Sequence, residues 1–215
     1  MRELLSKNDL TSEQAFALCE WLGNEIDLQN INGRSLDLPK PFHLSEPVKD
    51  EMILFPGSFN PWHLGHRECL VKCPKGPIAI IPDRNPWKEF SQENPWQDVC
   101  IIREQLLSFE RDDIFIDPGF LAKVQTNPTV NWLPHINVEK KWLLMGDDVF
   151  LGLHRWHDYE IILKNLHGLY VCPRLGNKVE LEIQRDSLLN EASLEVIFLN
   201  HHDYEDISST ELRRQ

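Results

Sequence analysis

From Met52 onward the chain alternates short, continuously apolar runs with segments of helical periodicity, and this alternation restricts the fold more than any other feature. The apolar runs are Met52–Phe55, Ile78–Ile81, Ile114–Ile116, Trp142–Met145, Leu169–Cys172 and Leu194–Leu199. Runs that are apolar at nearly every position belong to strands covered on both faces. The segments between them read as helices: His66–Lys72, Gln97–Ser108, Val130–Ile136, Val149–Lys164 and roughly Val179–Leu189. The alternation therefore predicts an α/β fold, a doubly wound parallel sheet.

Residues 1–50 have a different character and read as a helical appendage with a linker, ahead of a main domain over 51–215. Thr11 and Gln14 have the spacing of a capping box, which opens a helix over Thr11–Ile26. Ala15, Leu18, Cys19, Leu22 and Ile26 fall on one face of it. Gly33, Pro39, Pro41 and Pro47 mark the linker. The apolar helix face must be buried, and the expected place is apolar surface beside the last strand of the same chain, with a subunit contact as the alternative.

The chain has 215 residues, 41% hydrophobic and 26% charged, a composition that supports a packed core. Its net charge of −12 argues against a general binder of nucleic-acid polymers or anionic membranes. A small anionic ligand stays compatible, with a site built locally from backbone N–H groups, histidines and a few cations. The cysteines Cys19, Cys69, Cys73, Cys100 and Cys172 are odd in number and form no Cys-x-x-Cys pair, and no signal-peptide pattern opens the chain. These features predict reduced thiols in a cytoplasmic protein. The apolar runs are too short to span a bilayer.

Two clusters carry chemistry. The first, Gly57-Ser58-Phe59-Asn60-Pro61-Trp62-His63-Leu64-Gly65-His66, follows the first sheet strand directly. Ligands of open α/β sheets sit outside the carboxyl ends of strands. Gly57 allows a turn and a close ligand approach. His63 and His66 can converge on one anion that a helix N-terminus also favours. Two surface histidines in a Gly/Pro turn are the bland reading, against which the preceding buried strand weighs. A metal held by this pair lacks a third ligand nearby.

The second cluster is Ile207-Ser208-Ser209-Thr210-Glu211-Leu212-Arg213. Ser208 and Glu211 have capping-box spacing, so a helix should start there. Its free N–H groups, the hydroxyls of Ser209 and Thr210, and the Arg213 fork could hold phosphate oxygens. So short a helix needs support, from Leu212 packing or from a bound polyphosphate.

Together the two clusters resemble the His-x-Gly-His nucleotidyltransferase superfamily with its C-terminal Ile-Ser-Ser-Thr-x-x-Arg signature, and within it the nicotinate/nicotinamide mononucleotide adenylyltransferase family. The similarity runs from about Met52 to Arg213. It includes Lys88 after Pro86-Trp87, Arg103, Asn127-Pro128-Thr129-Val130-Asn131-Trp132-Leu133, Gly146-Asp147, Trp156 and Val171-Cys172-Pro173-Arg174. The resemblance implies a Rossmann-like fold. It implies adenylyl transfer from ATP to a pyridine mononucleotide in NAD biosynthesis, with Mg²⁺ carried on the ATP phosphates. Gly57, Ser58, Phe59, His63, His66, Gly146, Asp147, Ser208, Ser209, Thr210 and Arg213 would hold ATP, with Asp147 on a ribose. Lys88 would bind the mononucleotide phosphate, Thr129 and Trp156 its ring, and Arg174 would complete that side. His63, His66, Lys88 and Arg213 would be the catalytic set.

The chain departs from the family at Pro128, where a tyrosine is usual beside the ring. Plainer readings stand beside the family roles: Trp156 as core, Arg103 as a solvated helix charge, Asp147 as a turn residue and Lys88 as a surface lysine; His201-His202-Asp203 reads as a polar loop before the helix rather than as a metal chelate. The rival functions are transfer to another phosphomonoester such as phosphopantetheine, use of CTP, and a non-catalytic nucleotide sensor. A homo-oligomer is compatible with the sequence.

Overall fold

β1 (Glu51–Gly57), β2 (Ile78–Pro82) and β4 (Lys140–Gly146) are buried at almost every position between their ends, so both faces of the sheet are covered. The computed structural model describes residues 1–83, 94–123 and 127–213. With β3 (Ile114–Ile116), β5 (Gly168–Cys172) and β6 (Glu195–Phe198), the strands form one sheet in the order β3-β2-β1-β4-β5-β6. Every neighbouring pair is parallel. The winding direction reverses between β1 and β4. With right-handed crossovers, that reversal sends the connections of the two halves to opposite faces and opens a crevice at the strand ends. The chain thus adopts the expected Rossmann-like α/β fold.

α2 (Leu64–Lys72), α3 (Trp96–Leu107) and α6 (Lys178–Glu191) lie where periodicity places them. Two expected helices are broken. Val130–Ile136 becomes two 3₁₀ turns, Thr129–Asn131 and Leu133–His135, because Pro134 lacks the N–H that a continuous helix would bond to the Val130 carbonyl. Val149–Lys164 becomes α4 (Asp147–Leu151), a 3₁₀ turn at Leu153–Arg155 and α5 (Tyr159–Lys164). Asp158 sits between them at φ +50°, a left-handed conformation that no helix carries through.

α1 (Ser12–Ile26) has the expected capping box: Gln14 N–H donates to Thr11 Oγ1 at 3.2 Å and Thr11 N–H donates to Gln14 Oε1 at 3.1 Å. Its face of Ala15, Leu18, Cys19, Leu22 and Ile26 is fully buried. Contrary to expectation, the face does not cover the last strand but packs at the opposite edge, on α3 and on the 3₁₀ turn Gly119–Ala122 after β3. The reason is a close backbone fit. A Cβ on Gly23 would stand 2.7 Å from the Gly119 Cα, so only glycine lets the helix settle there.

α3 holds the chain ahead of α1. Trp96 Nε1–H donates to the Lys7 carbonyl at 2.8 Å. Arg103 is buried and donates to the Leu5 carbonyl and the Asn8 side chain, so it is not a solvated helix charge. Residues 28–50 are packed as well: Ile31, Phe42 and Val48 are buried, and the Ile116 N–H donates to the Pro41 carbonyl at 3.0 Å. At the other edge β6 keeps Ile197 and Phe198 more than a third exposed, at 37% and 38%.

Candidate functional site

β1 and β4 pair only as far as Leu54 and Leu143. Beyond that point their ends part, and the loops leaving them face each other across a cleft of ≈ 220 Å³. Gly57, Ser58 and Phe59 line it from β1, His63 and His66 from the start of α2, and Gly146 and Asp148 from β4. Trp156, Arg174, Ser208 and Ser209 complete the wall together with His202 and Tyr204.

The β1 loop is shaped by an aromatic nest. Phe59 has φ +44°, a strained value for a residue with a side chain. Its buried ring packs against Phe55 at 5.0 Å and against Trp62 and His66 at 5.1 Å, which offsets the strain. The same ring explains Gly57: a Cβ there would lie 2.9 Å from Phe59. Gly57 thus makes room for the aromatic nest while lining the cleft.

His66 stands edge-on to Phe59, and its Nδ1 accepts the His63 N–H at 3.3 Å. A neutral His66 therefore carries its proton on Nε2. The His63 ring stacks on it, with centroids 3.8 Å apart. His63 is buried, and neither of its ring nitrogens has a hydrogen-bond partner among the described residues. Burial, helped by the Arg174 guanidinium and opposed by Asp148, lowers its pKa to about 4. At neutral pH His63 is an uncharged imidazole, and leaving it buried and unbonded is unfavourable unless a ligand or solvent completes it.

Arg174 ties three parts of the wall together. Its guanidinium pairs with Asp148 at 3.1 Å and donates to the Ile207 carbonyl at 2.7 Å. Asp147 is buried, and its Oδ2 accepts the backbone N–H groups of Arg174 at 2.8 Å and Gly176 at 2.9 Å. That carboxylate pins the turn after β5. Of the two aspartates after Gly146, it is Asp148 that lines the cleft.

The C-terminal helix α7 (Ser209–Leu212) is capped by Ser208, whose Oγ accepts the Glu211 N–H at 3.2 Å. Packing through Leu212, one of the two expected supports, is slight. Leu212 is 36% exposed. Instead Ser209 Oγ–H donates to the Pro61 carbonyl at 3.0 Å, and Arg213 donates to the Asn60 carbonyl. The tail is laced to the β1 loop, which brings the two sequence clusters together.

Thr129 does not appear among the described residues lining the cleft. Trp156 does, half-buried and packed on the core, so its two readings describe one position. Lys88 and the side chain of Thr210 lie outside the described residues. Sequence reasoning passed over Asp148, His202 and Tyr204. A strict Gly-x-Asp count from Gly146 would have found Asp148. Nothing local marks His202, which reads as part of a polar loop with His201 yet reaches the cleft while His201 stays exposed.

Comparison with known proteins agrees with this geometry. The cytidylyltransferase-like family model matches residues 54–215. A probable nicotinate-nucleotide adenylyltransferase of Nitratiruptor sp. is 30% identical over 172 residues, covering 76% of this chain and 87% of its own. One from Pseudomonas aeruginosa is 27% identical over 124 residues, 53% of this chain, and this chain spans 57% of that relative's length. Among solved structures, Plasmodium falciparum nicotinic acid mononucleotide adenylyltransferase complexed with NaAD superposes with a TM-score of 0.59 at 16% identity, over 77% of this chain and 83% of that one. The chain belongs to the cytidylyltransferase-like family, and the relatives it matches there are named for nicotinate-nucleotide adenylyl transfer.

Proposed function

We propose that the protein transfers an adenylyl group from ATP to nicotinate mononucleotide or its amide counterpart, a step of NAD biosynthesis. The observation that carries this reading is His63: a buried, uncharged imidazole whose ring nitrogens have no hydrogen-bond partner among the described residues, stacked on His66 at the strand-end crevice. A polyanion laid along the crevice would take hydrogen bonds from both rings. The names of the relatives supply the acceptor.

In this reaction a mononucleotide phosphate oxygen attacks the α-phosphorus of ATP. A new P–O bond forms, the bond to the β-phosphate bridge breaks, and pyrophosphate leaves. The nucleophile is already anionic, so no general base is needed. Catalysis is positioning and charge stabilisation. His66 Nε2–H and the His63 ring would donate to the phosphates. Asp148 would take ribose hydroxyls, and Trp156 would offer its face to the pyridine ring. Lys88, Thr129, Thr210 and Arg213 keep their family roles as part of this proposal.

Among the described residues no group of three or more His, Cys, Asp or Glu could hold a metal ion. Mg²⁺ would come in on the nucleotide, where it would neutralise charge on the phosphates. No helix among the described residues is long and apolar enough to cross a membrane. A cytoplasmic setting is the compartment we infer, from the five cysteines, all free thiols.

The test is pyrophosphate release with ATP or CTP over a panel of phosphomonoesters. Turnover with ATP and a pyridine mononucleotide is expected. Turnover only with another acceptor or with CTP overturns the assignment, and binding without turnover on any of them makes the protein a sensor.

A further inference from the structure

His66 supplies the Nε2–H that the proposed transfer uses, yet little in its own backbone fixes where that bond points. An imidazole turns about a side-chain torsion with broad preferences. The hydrogen bond from the His63 N–H to Nδ1 is 3.3 Å long, a loose tether for an N–H donor. The plane of the ring is therefore set by what surrounds it.

Besides the stacked His63, three rings surround it. Phe59 stands at 90° with centroids 5.1 Å apart, Trp62 at 40° and 5.2 Å, and Phe55 farther off at 6.3 Å. Phe55 belongs to β1, and Phe59 is committed to its strained turn. Trp62 has neither task. It is 5% exposed and is not among the described residues that line the cleft, so it acts on a ligand only through its neighbours. Its Nε1 is buried with no hydrogen-bond partner among the described residues. A buried indole ordinarily bonds that donor, and a phenylalanine would fill much of the space without leaving one unmet. What the indole adds is a large ring packed at once on Phe59, at 5.1 Å, and on His66.

The chain places Trp62 between the tail and the donor. It directly precedes the N-cap of α2, and His66 is the third residue of that helix. It follows Asn60 and Pro61, whose carbonyls receive Arg213 and Ser209 from the tail.

We propose that Trp62 is a positioning residue for adenylyl transfer: its ring holds the His66 imidazole in the orientation that aims Nε2–H at the phosphates. The inference rests on the proposed function. As charge builds on the phosphate oxygens, the donor ring gains positive character, and an aromatic ring beside it favours that change. The contact therefore matters more at the transition state than in the bound ground state, and it belongs in kcat rather than in ATP binding.

Trp62→Met fills the space with a flexible chain that has no ring, and Trp62→Phe keeps a ring. With methionine, kcat should fall about 10-fold, within the ~10²-fold that a small misplacement can cost. The ATP dissociation constant, read by calorimetry, should stay nearly the same, and Trp62→Phe should restore most of kcat. His66→Ala is then combined with Trp62→Met. With the imidazole gone there is nothing left to position, so the double variant should turn over no more slowly than His66→Ala alone. A merely structural tryptophan would lower kcat equally in both backgrounds. Nitrogen NMR of the unsubstituted chain needs no variant to fold: the His66 ring should hold a single Nε2–H tautomer. An unchanged kcat, an additive loss, kcat and ATP affinity falling together, a phenylalanine variant as slow as the methionine one, or a His66 ring averaging between tautomers overturns the proposal. Normal turnover of His66→Ala would mean the functional reading has failed, whereas impaired His66→Ala with an additive Trp62→Met loss would mean this one has.

Discussion

His63 is sensitive to pH in two opposite ways. Its pKa falls from 6.5 to about 4 in the folded chain. Between those values the unfolded chain takes up a proton that the folded chain refuses, so stability declines as pH drops through the window. The loss levels off below it and vanishes above it, with a full extent of about 3 kcal/mol. Denaturant midpoints of the parent and of His63→Asn, taken from pH 7 down to 4, should converge as pH falls. Bound phosphate acts in the other direction, raising the pKa and coupling ATP binding to proton uptake. Calorimetry in two buffers of different ionisation heat reads that uptake, and a smaller one is expected for His63→Asn. For His66→Ala, a fall in kcat of at least ~10²-fold is expected with the fold retained, the scale of removing one preorganised donor. The aspartates should separate. Asp147→Asn should lower thermal stability through the turn after β5, and Asp148→Asn should lower turnover with stability nearly kept. The reverse pattern would return the ligand role to Asp147.

The elements show where sequence reasoning reached and where it stopped. Strands were legible because burial on both faces leaves a continuous apolar record, as in Met52–Phe55. The histidine tetrad and the Ser208 cap were legible because each couples a local hydrogen-bond pattern to short spacing. The docking place of α1 was not. Periodicity states that Leu18 and Leu22 must be buried but not against what, and the answer depends on two glycines, Gly23 and Gly119, that carry no pattern. The role of Arg103 was hidden for the same reason, since its partners Leu5 and Asn8 lie nearly a hundred positions away. Gly23→Val tests the fit. Forcing a branched side chain against the Gly119 backbone should destabilise by about 1–3 kcal/mol, read as a shift in denaturant midpoint, while Gly33→Val, where no atom lies within 4 Å, should act only through its left-handed backbone.

At the scale of the whole molecule, the cleft is built from segments that meet only when the sheet is assembled. β1 delivers one wall, β4 and β5 the other, and the tail closes over both. The hydrogen bonds that lace the tail to the β1 loop join residues 148 and 153 positions apart. Contacts that close so long a loop reward the chain only after most of its entropy has been lost, so they belong after the folding barrier. Time, then, separates the scaffold from the site. Severing the lacing with Ser209→Ala should leave the refolding rate in stopped-flow unchanged and quicken unfolding, as for any contact absent from the transition state. Nucleotide bound beneath the same lacing should lengthen the life of the folded chain without hastening its birth.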